Sequence, residues 1–217
     1  MSQIPHAIDE IFQELKKEIT WLHGRWVIYK QLFDHSEKRI ELINECASTF
    51  FYVIQDVLLG DIQVVLSKLT DPARFGKHDN LSFEQLQLRV ETQGEKNLSA
   101  DLRKLLDELH NKCQSFRHWR NKRLAHLDLT TAMKSSFNPL PRISIQMIQE
   151  ALELTREYMN TIQRHYMDSE TGYDLFFMRS DGEALISILK FGLRYLEMER
   201  EGTISWDEWN KSEWQDA

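Results

Sequence analysis

The sequence predicts an all-α protein, a helical bundle of about five to seven helices with an acidic, Trp-rich C-terminal tail. Three observations carry that expectation. Only 8 Gly and 4 Pro interrupt 217 residues, which leaves few places to break a helix. Apolar residues recur at spacings of three and four along most of the chain, and no segment alternates as a half-buried strand would. The balance of 41% hydrophobic and 28% charged residues is that of an ordinary soluble globular protein, long enough to bury a real core. We read residues 1–217 as a single helical domain.

The first helix is expected to start near Pro5, with Ile8, Ile11, Phe12, Leu15, Ile19 and Leu22 on one stripe. Gly24 interrupts before a second apolar stretch, Trp26 to Phe33, so this region reads as one bent helix or two joined ones. From Ser36, an N-cap serine, helical periodicity persists for more than thirty residues until Asp71-Pro72 ends it. Its wealth of buried-type residues predicts a central helix. The segment "RFGKHDN" reads as a polar loop, and Ser82 with Gln85 has capping-box spacing at the start of a short helix that Gly94 ends. From Ser99 a stripe of Leu102, Leu105, Leu106, Leu109, Cys113 and Phe116 predicts another helix. A loop containing "SSFNPLPR" follows, then helices from about Ser144 to Met167 and about Asp181 to Glu201, and last a tail with Trp206, Trp209 and Trp214.

Cys46 and Cys113 stand far apart inside helical patterns, as reduced core thiols would. The N-terminus "MSQIPHAIDE" has neither a basic nor an apolar leader region, and no uninterrupted apolar run reaches the roughly 18 residues of a membrane span. A cytoplasmic protein with no membrane contact is expected.

Charge is where the sequence departs from the ordinary. The formal charge is -7, yet between Glu108 and Asp128 there is no acid, while Lys112, Arg117, Arg120, Lys122 and Arg123 contribute five positive charges and leave the remainder at -12. One basic island on an acidic chain argues against general adhesion to nucleic acid and for a local anion site. Within it Arg120 is a permanent cation with a fork of donors, and His126 titrates near neutral pH. Together they could neutralise a phosphate and move protons, as cleavage of RNA by its own 2′-hydroxyl requires, with no metal. Asn121 flanks Arg120 with a short amide that could fix a phosphate or the arginine itself. Arg117, His118, Lys122 and Arg123 are candidate phosphate-binding residues. Trp119 could stack a base or fill the core. Six residues separate Arg120 from His126, which on a continuous α-helix places them roughly 120° apart. Either the helix ends between them or two chains combine their halves across a symmetry axis.

The stretch Arg120-Asn121-Lys122-Arg123-Leu124-Ala125-His126 resembles the R-x(4-6)-H motif of the HEPN superfamily, here as R-x5-H with a polar residue after the arginine. With "ELINECASTFFYVIQDVLLGDIQVVLSKLTDP", "HDNLSFEQL" and "RNKRLAHLD", the chain over roughly residues 35–165 is similar to the abortive-infection, phage-defence branch of the AbiU type, with a further helix and tail over about 168–217. The resemblance implies an all-α bundle, a homodimer, and a metal-independent endoribonuclease site at the dimer interface, acting as a toxin or abortive-infection protein. It implies catalytic roles for Arg120 and His126, a supporting role for Asn121, RNA as substrate, and a cognate antitoxin as a candidate partner. Some members are non-catalytic RNA- or nucleotide-binding or protein-interaction modules, which is the alternative reading. Where some HEPN toxins carry a modifiable tyrosine two residues after the histidine, this chain has Asp128.

Other constellations are weaker. Glu197, Glu199, Glu201, Gly202, Ile204 and Glu208 follow an EF-hand rhythm, but the first position needs the shorter Asp and no second loop pairs with it. A charged helix end stopped by Gly202, with Ser205 capping a last turn, is the simpler reading. Asp107 and His110 form half of a bundle-type dimetal motif without its second half. His23, His35, His78 and His165 stand singly. No metal or other cofactor is expected.

Overall fold

The computed structural model describes residues 3–124, 129, 133, 140–175 and 179–203. The fold is all-α, as expected. Among the described residues there are six α-helices: α1 (His6–Phe33), α2 (Glu37–Leu69), α3 (Phe83–Gln93), α4 (Lys96–Trp119), α5 (Ile145–Met167) and α6 (Gly182–Arg200). A five-residue π-helical segment, Arg120–Leu124, continues α4. The strands β1 (Arg74–Phe75) and β2 (His78–Asp79) pair antiparallel in a small ribbon.

Contacts divide the chain into two units, residues 1–27 with 57–176 and residues 28–56 with 177–217. The first unit holds the larger core. Its α1 stripe of Ile8, Phe12, Leu15, Ile19 and Leu22 is completely buried or nearly so, as are Leu102, Leu106, Leu109, Cys113 and Phe116 of α4. Helices α4 and α5 pack along their lengths, and α3 packs on α4. Tyr158 of α5 lies in this core, its hydroxyl donating to Gln87 Oε1 at 3.1 Å, while Gln87 Nε2 donates to the Ser99 carbonyl at 3.0 Å. Burial drives the Tyr158 phenol well above its ordinary pKa.

In the second unit Leu32, Ile43, Phe51 and Ile186 form a small apolar cluster. Arg39, nearly buried, donates to the Gln31 carbonyl and grips both carboxylate oxygens of Glu183. Asp181 caps α6 by accepting from Ala184 N at 3.2 Å and also accepts from Gln31 Nε2 at 2.8 Å. The next residue is glycine, and a Cβ there would lie 2.9 Å from Gln31 Cβ, so any larger residue would force Gln31 to shift.

Several elements begin and end where their capping residues predict. Ser36 Oγ accepts from Arg39 N, Ser82 Oγ from Gln85 N, and Ser144 Oγ from Met147 N. Gly94 ends α3 in the left-handed region at φ 82°. Of the two readings of the region around Gly24, the structure has the single helix, α1 running unbroken from His6 to Phe33. Two expectations need correction. Helix α2 is two helical pieces meeting at Ala47 (φ -164°, ψ 67°), and it is not uniformly central, since Phe50, Tyr52, Val53 and Val57 are 49–73% exposed. The polar loop after Pro72 contains the β ribbon, too short to register as alternation. Although no uninterrupted apolar run reaches span length, Glu37–Leu69 contains an 18-residue window of mean hydropathy 1.5, only 22% buried, long and apolar enough to cross a membrane by length and composition.

Candidate nucleic-acid interface

The site begins at the end of α2. Asp71 precedes Pro72, whose ring disfavours helical geometry at the residue before it, so the helix stops and its last carbonyls need partners. Helix α4 supplies them. Arg117 Nη2 donates to the Thr70 carbonyl at 2.6 Å and to Thr70 Oγ1 at 2.9 Å, and His110 Nε2 lies 3.1 Å from the same carbonyl. Cys113 lies beside them, with burial pushing its thiol up to about 12 despite the opposing charge of Arg117 and a hydrogen bond with Thr70. Residues 110, 113, 117 and 120 follow spacings of three and four, one line along α4 that ends at Arg120.

Arg120 meets the carboxylate that the basic segment itself lacks. Its Nη1 donates to Asp71 Oδ2 at 2.8 Å and to Oδ1 at 3.1 Å, and its Nε donates to Asn121 Oδ1 at 3.2 Å. Arg117 Nη2 is 3.9 Å from the same Asp71. Lys112 is matched in the same way, to Glu150 at 2.6 Å; that hydrogen bond and charge hold the Glu150 carboxyl below its ordinary pKa and raise that of Lys112. Two of the five charges in the island are thus balanced by acids far away in sequence.

In front of Arg120 lies a groove of about 570 Å³ lined by Lys68, Asp71, Pro72, Phe75, Asn80, Arg117 and Arg120. All belong to the first unit. Three cations face one carboxylate, so the groove keeps a positive balance and offers arginine forks suited to a phosphodiester.

The remaining sequence candidates sort themselves around this groove. Asn121 orients Arg120. His118 and Arg123 are exposed and Lys122 is half-buried, on the same two turns but not lining the groove. Trp119 is half-buried, and its indole N–H donates to the Pro141 carbonyl at 2.6 Å, which ties α4 to the segment before α5. His126, Asp128 and the three tail tryptophans lie outside the described residues, as do Ile204, Ser205 and Glu208 of the EF-hand-like pattern. The described part of that pattern behaves as a helix end, with Gly202 at φ 72° and its N–H bonded to Glu199 O at 2.9 Å. Among the described residues no three His, Cys, Asp or Glu side chains converge as a metal would require. The 120° separation assumed an unbroken α-helix, whereas the i→i+5 bonding from Arg120 onward gives this turn a different pitch.

Sequence reasoning missed Lys68, Thr70, Asp71, Phe75 and Asn80. The signal available for Asp71 was its place in "KLTDP", which marks a helix end but not what the freed carboxylate would meet.

A family model, HEPN_AbiU2 (AbiU2), matches residues 6–185, well beyond the 35–165 span of the resemblance read from the sequence. No curated protein and no solved structure matches the chain.

Proposed function

The chain belongs to the AbiU2 family of HEPN proteins, a family of abortive-infection type, and from that premise we propose that it is a metal-independent endoribonuclease acting through Arg120 and His126. The observation that carries this reading is the Arg120 guanidinium, held by Asp71 and Asn121 at the wall of a net-positive groove. A phosphodiester entering the groove brings its own negative charge and can share or replace Asp71 as the partner of Arg120. The arginine then stabilises the charge that grows on the non-bridging oxygens, while His126 moves the proton of the 2′-hydroxyl or the leaving oxygen. Arg117 contributes charge at the groove wall. His118, Lys122 and Arg123 steer the flanking phosphates, and Asn121 keeps the Arg120 fork in place.

The homodimer is part of the same proposal, because two copies of the motif across one axis would complete the site. The exposed Phe50 and Tyr52 of α2, and Ile188 and Phe191 of α6, all within the second unit, support a self-association surface. Light scattering at micromolar concentration tests it, and a monomer would remove the composite site.

The second reading is a non-catalytic RNA- or nucleotide-binding or interaction module. The pairing of Arg120 with Asp71 favours it, since a neutralised arginine gives less transition-state stabilisation. Incubating the purified protein with total RNA in EDTA separates the two. Cleavage lost in both Arg120→Ala and His126→Ala supports the nuclease; binding without cleavage supports the module; cleavage that survives either substitution sinks the catalytic assignment.

A further inference from the structure

Among the described residues Phe75 stands out from the core. It is 79% exposed, on a ribbon of two residues per strand, next to cations at a groove that would take a phosphodiester. A single exposed ring is common on protein surfaces; what singles this one out is its place in the wall of a groove lined by Lys68, Arg117 and Arg120, where an apolar face stands beside phosphate-binding cations.

The ribbon fixes the backbone that carries that ring. Gly76 turns at φ 60° in the first central position of a two-residue hairpin, the position that demands a positive φ when the second residue does not. Arg74 Nε donates to Asp79 Oδ1 at 2.7 Å, tying the two strands by their side chains, and Asn80 N donates to the Ala73 carbonyl at 2.9 Å. Asn80 Nδ2 donates to the Pro72 carbonyl at 2.7 Å. Pro72 follows Asp71, the residue that fixes Arg120. The platform and the arginine are therefore joined through a short, hydrogen-bonded piece of chain.

We propose that Phe75 is the stacking platform for an unpaired nucleobase of an RNA strand whose phosphate lies on Arg120, which makes single-stranded RNA the ligand of this groove. The inference rests on the RNA reading above and deepens it. Arg120 and Lys68 bind backbone charge regardless of sequence, while the ring takes any base that is free to unstack. A base held in a duplex keeps its faces covered by its neighbours and cannot lie on the ring. Selectivity for single strands then comes from Phe75 and not from charge.

The test is binding measured by fluorescence anisotropy in EDTA, using a short 2′-O-methyl oligoadenylate, which cannot be cut by its own 2′-hydroxyl. Two further probes are the same strand paired in a duplex and an abasic ribose-phosphate strand of equal length. Phe75→Ala should weaken oligoadenylate binding about tenfold and leave the duplex and abasic probes unchanged, and Phe75→Trp should restore it. Arg120→Ala should weaken all three. Because Phe75 is exposed, its variants should melt as the parent does, which excludes misfolding as the cause. If Phe75→Ala binds oligoadenylate as tightly as the parent while Arg120→Ala does not, the stacking assignment falls and the RNA reading stands. Equal losses on base-bearing and abasic strands also overturn it, because the ring would then act through the ribbon. If the parent binds no strand in an Arg120-dependent way, both fall together.

Discussion

Replacing Asp71 by Asn should move stability and RNA affinity in opposite directions. The Asp71–Arg120 pair has contacts of 2.8 and 3.1 Å and side chains only 25% and 19% exposed. Exposed ion pairs contribute about 0–1 kcal/mol and breaking buried ones costs about 3–5, so a coupling of about 2 kcal/mol is expected here. A double-mutant cycle with Arg120→Gln, read by denaturant unfolding, measures it. If Asp71→Asn loses the whole of that coupling, its Tm falls by about 4–8 °C in a chain of this size. The groove, meanwhile, gains one net positive charge. Its affinity for a single strand at low salt should rise, and the plot of log affinity against log salt should steepen by about 0.7. Arg120→Gln loses both stability and affinity. A coupling below about 0.5 kcal/mol, or an Asp71→Asn protein that binds RNA more weakly than the parent, would show that Asp71 is not the counter-ion a phosphate must displace.

Cys113 gives the fold a sensitivity to alkali. Its folded thiol lies near 12, above the unfolded value, so the unfolded chain releases the proton first as pH rises. The contribution is fully present below about pH 8.5 and fades above it by about 1.4 kcal/mol per unit; urea unfolding of Cys113→Ala should show a shallower alkaline limb than the parent. Gly182→Ala should cost about 1–3 kcal/mol by overpacking against Gln31 and Leu32, whereas Gly192→Ala, with nothing within 4 Å of its added Cβ, should stabilise α6 by about 0.4–1 kcal/mol. Tyr158→Phe should cost about 1–2 kcal/mol in the same assay, because it leaves the Gln87 amide oxygen without its donor in the core.

What could be read from the sequence follows the range of the interaction responsible. Caps act over three residues, so Ser36, Ser82, Ser144 and Asp181 announce their helices locally, and the structure starts each where its hydroxyl or carboxylate accepts. The stripes of α1 and α4 are equally local in origin, since periodicity alone sorts a helix into faces. The site is another matter. Arg120 and Asp71 are 49 residues apart, and nothing in either segment names the other. Basic residues drew attention to Arg120, but the carboxylate that balances it was hidden inside a helix-stop signal. The apolar content of α2 shows that water is unfavourable for those side chains; it does not show which of them the same chain will cover, and Phe50 and Tyr52 are left outside. The break at Ala47 carries no Gly or Pro to announce it.

The π turn at Arg120–Leu124 has a consequence for how this motif can change length. A π turn is an α-turn that has swallowed one extra residue. Removing one codon among Asn121, Lys122 and Arg123 can be absorbed by a return to the tighter pitch, with Arg120 still facing Asp71 and the whole of α4 upstream undisturbed. The spacing after the arginine is thereby uncoupled from the packing before it. A one-residue deletion that would re-register the buried side chains of an ordinary helix becomes, at this turn, a local adjustment of reach.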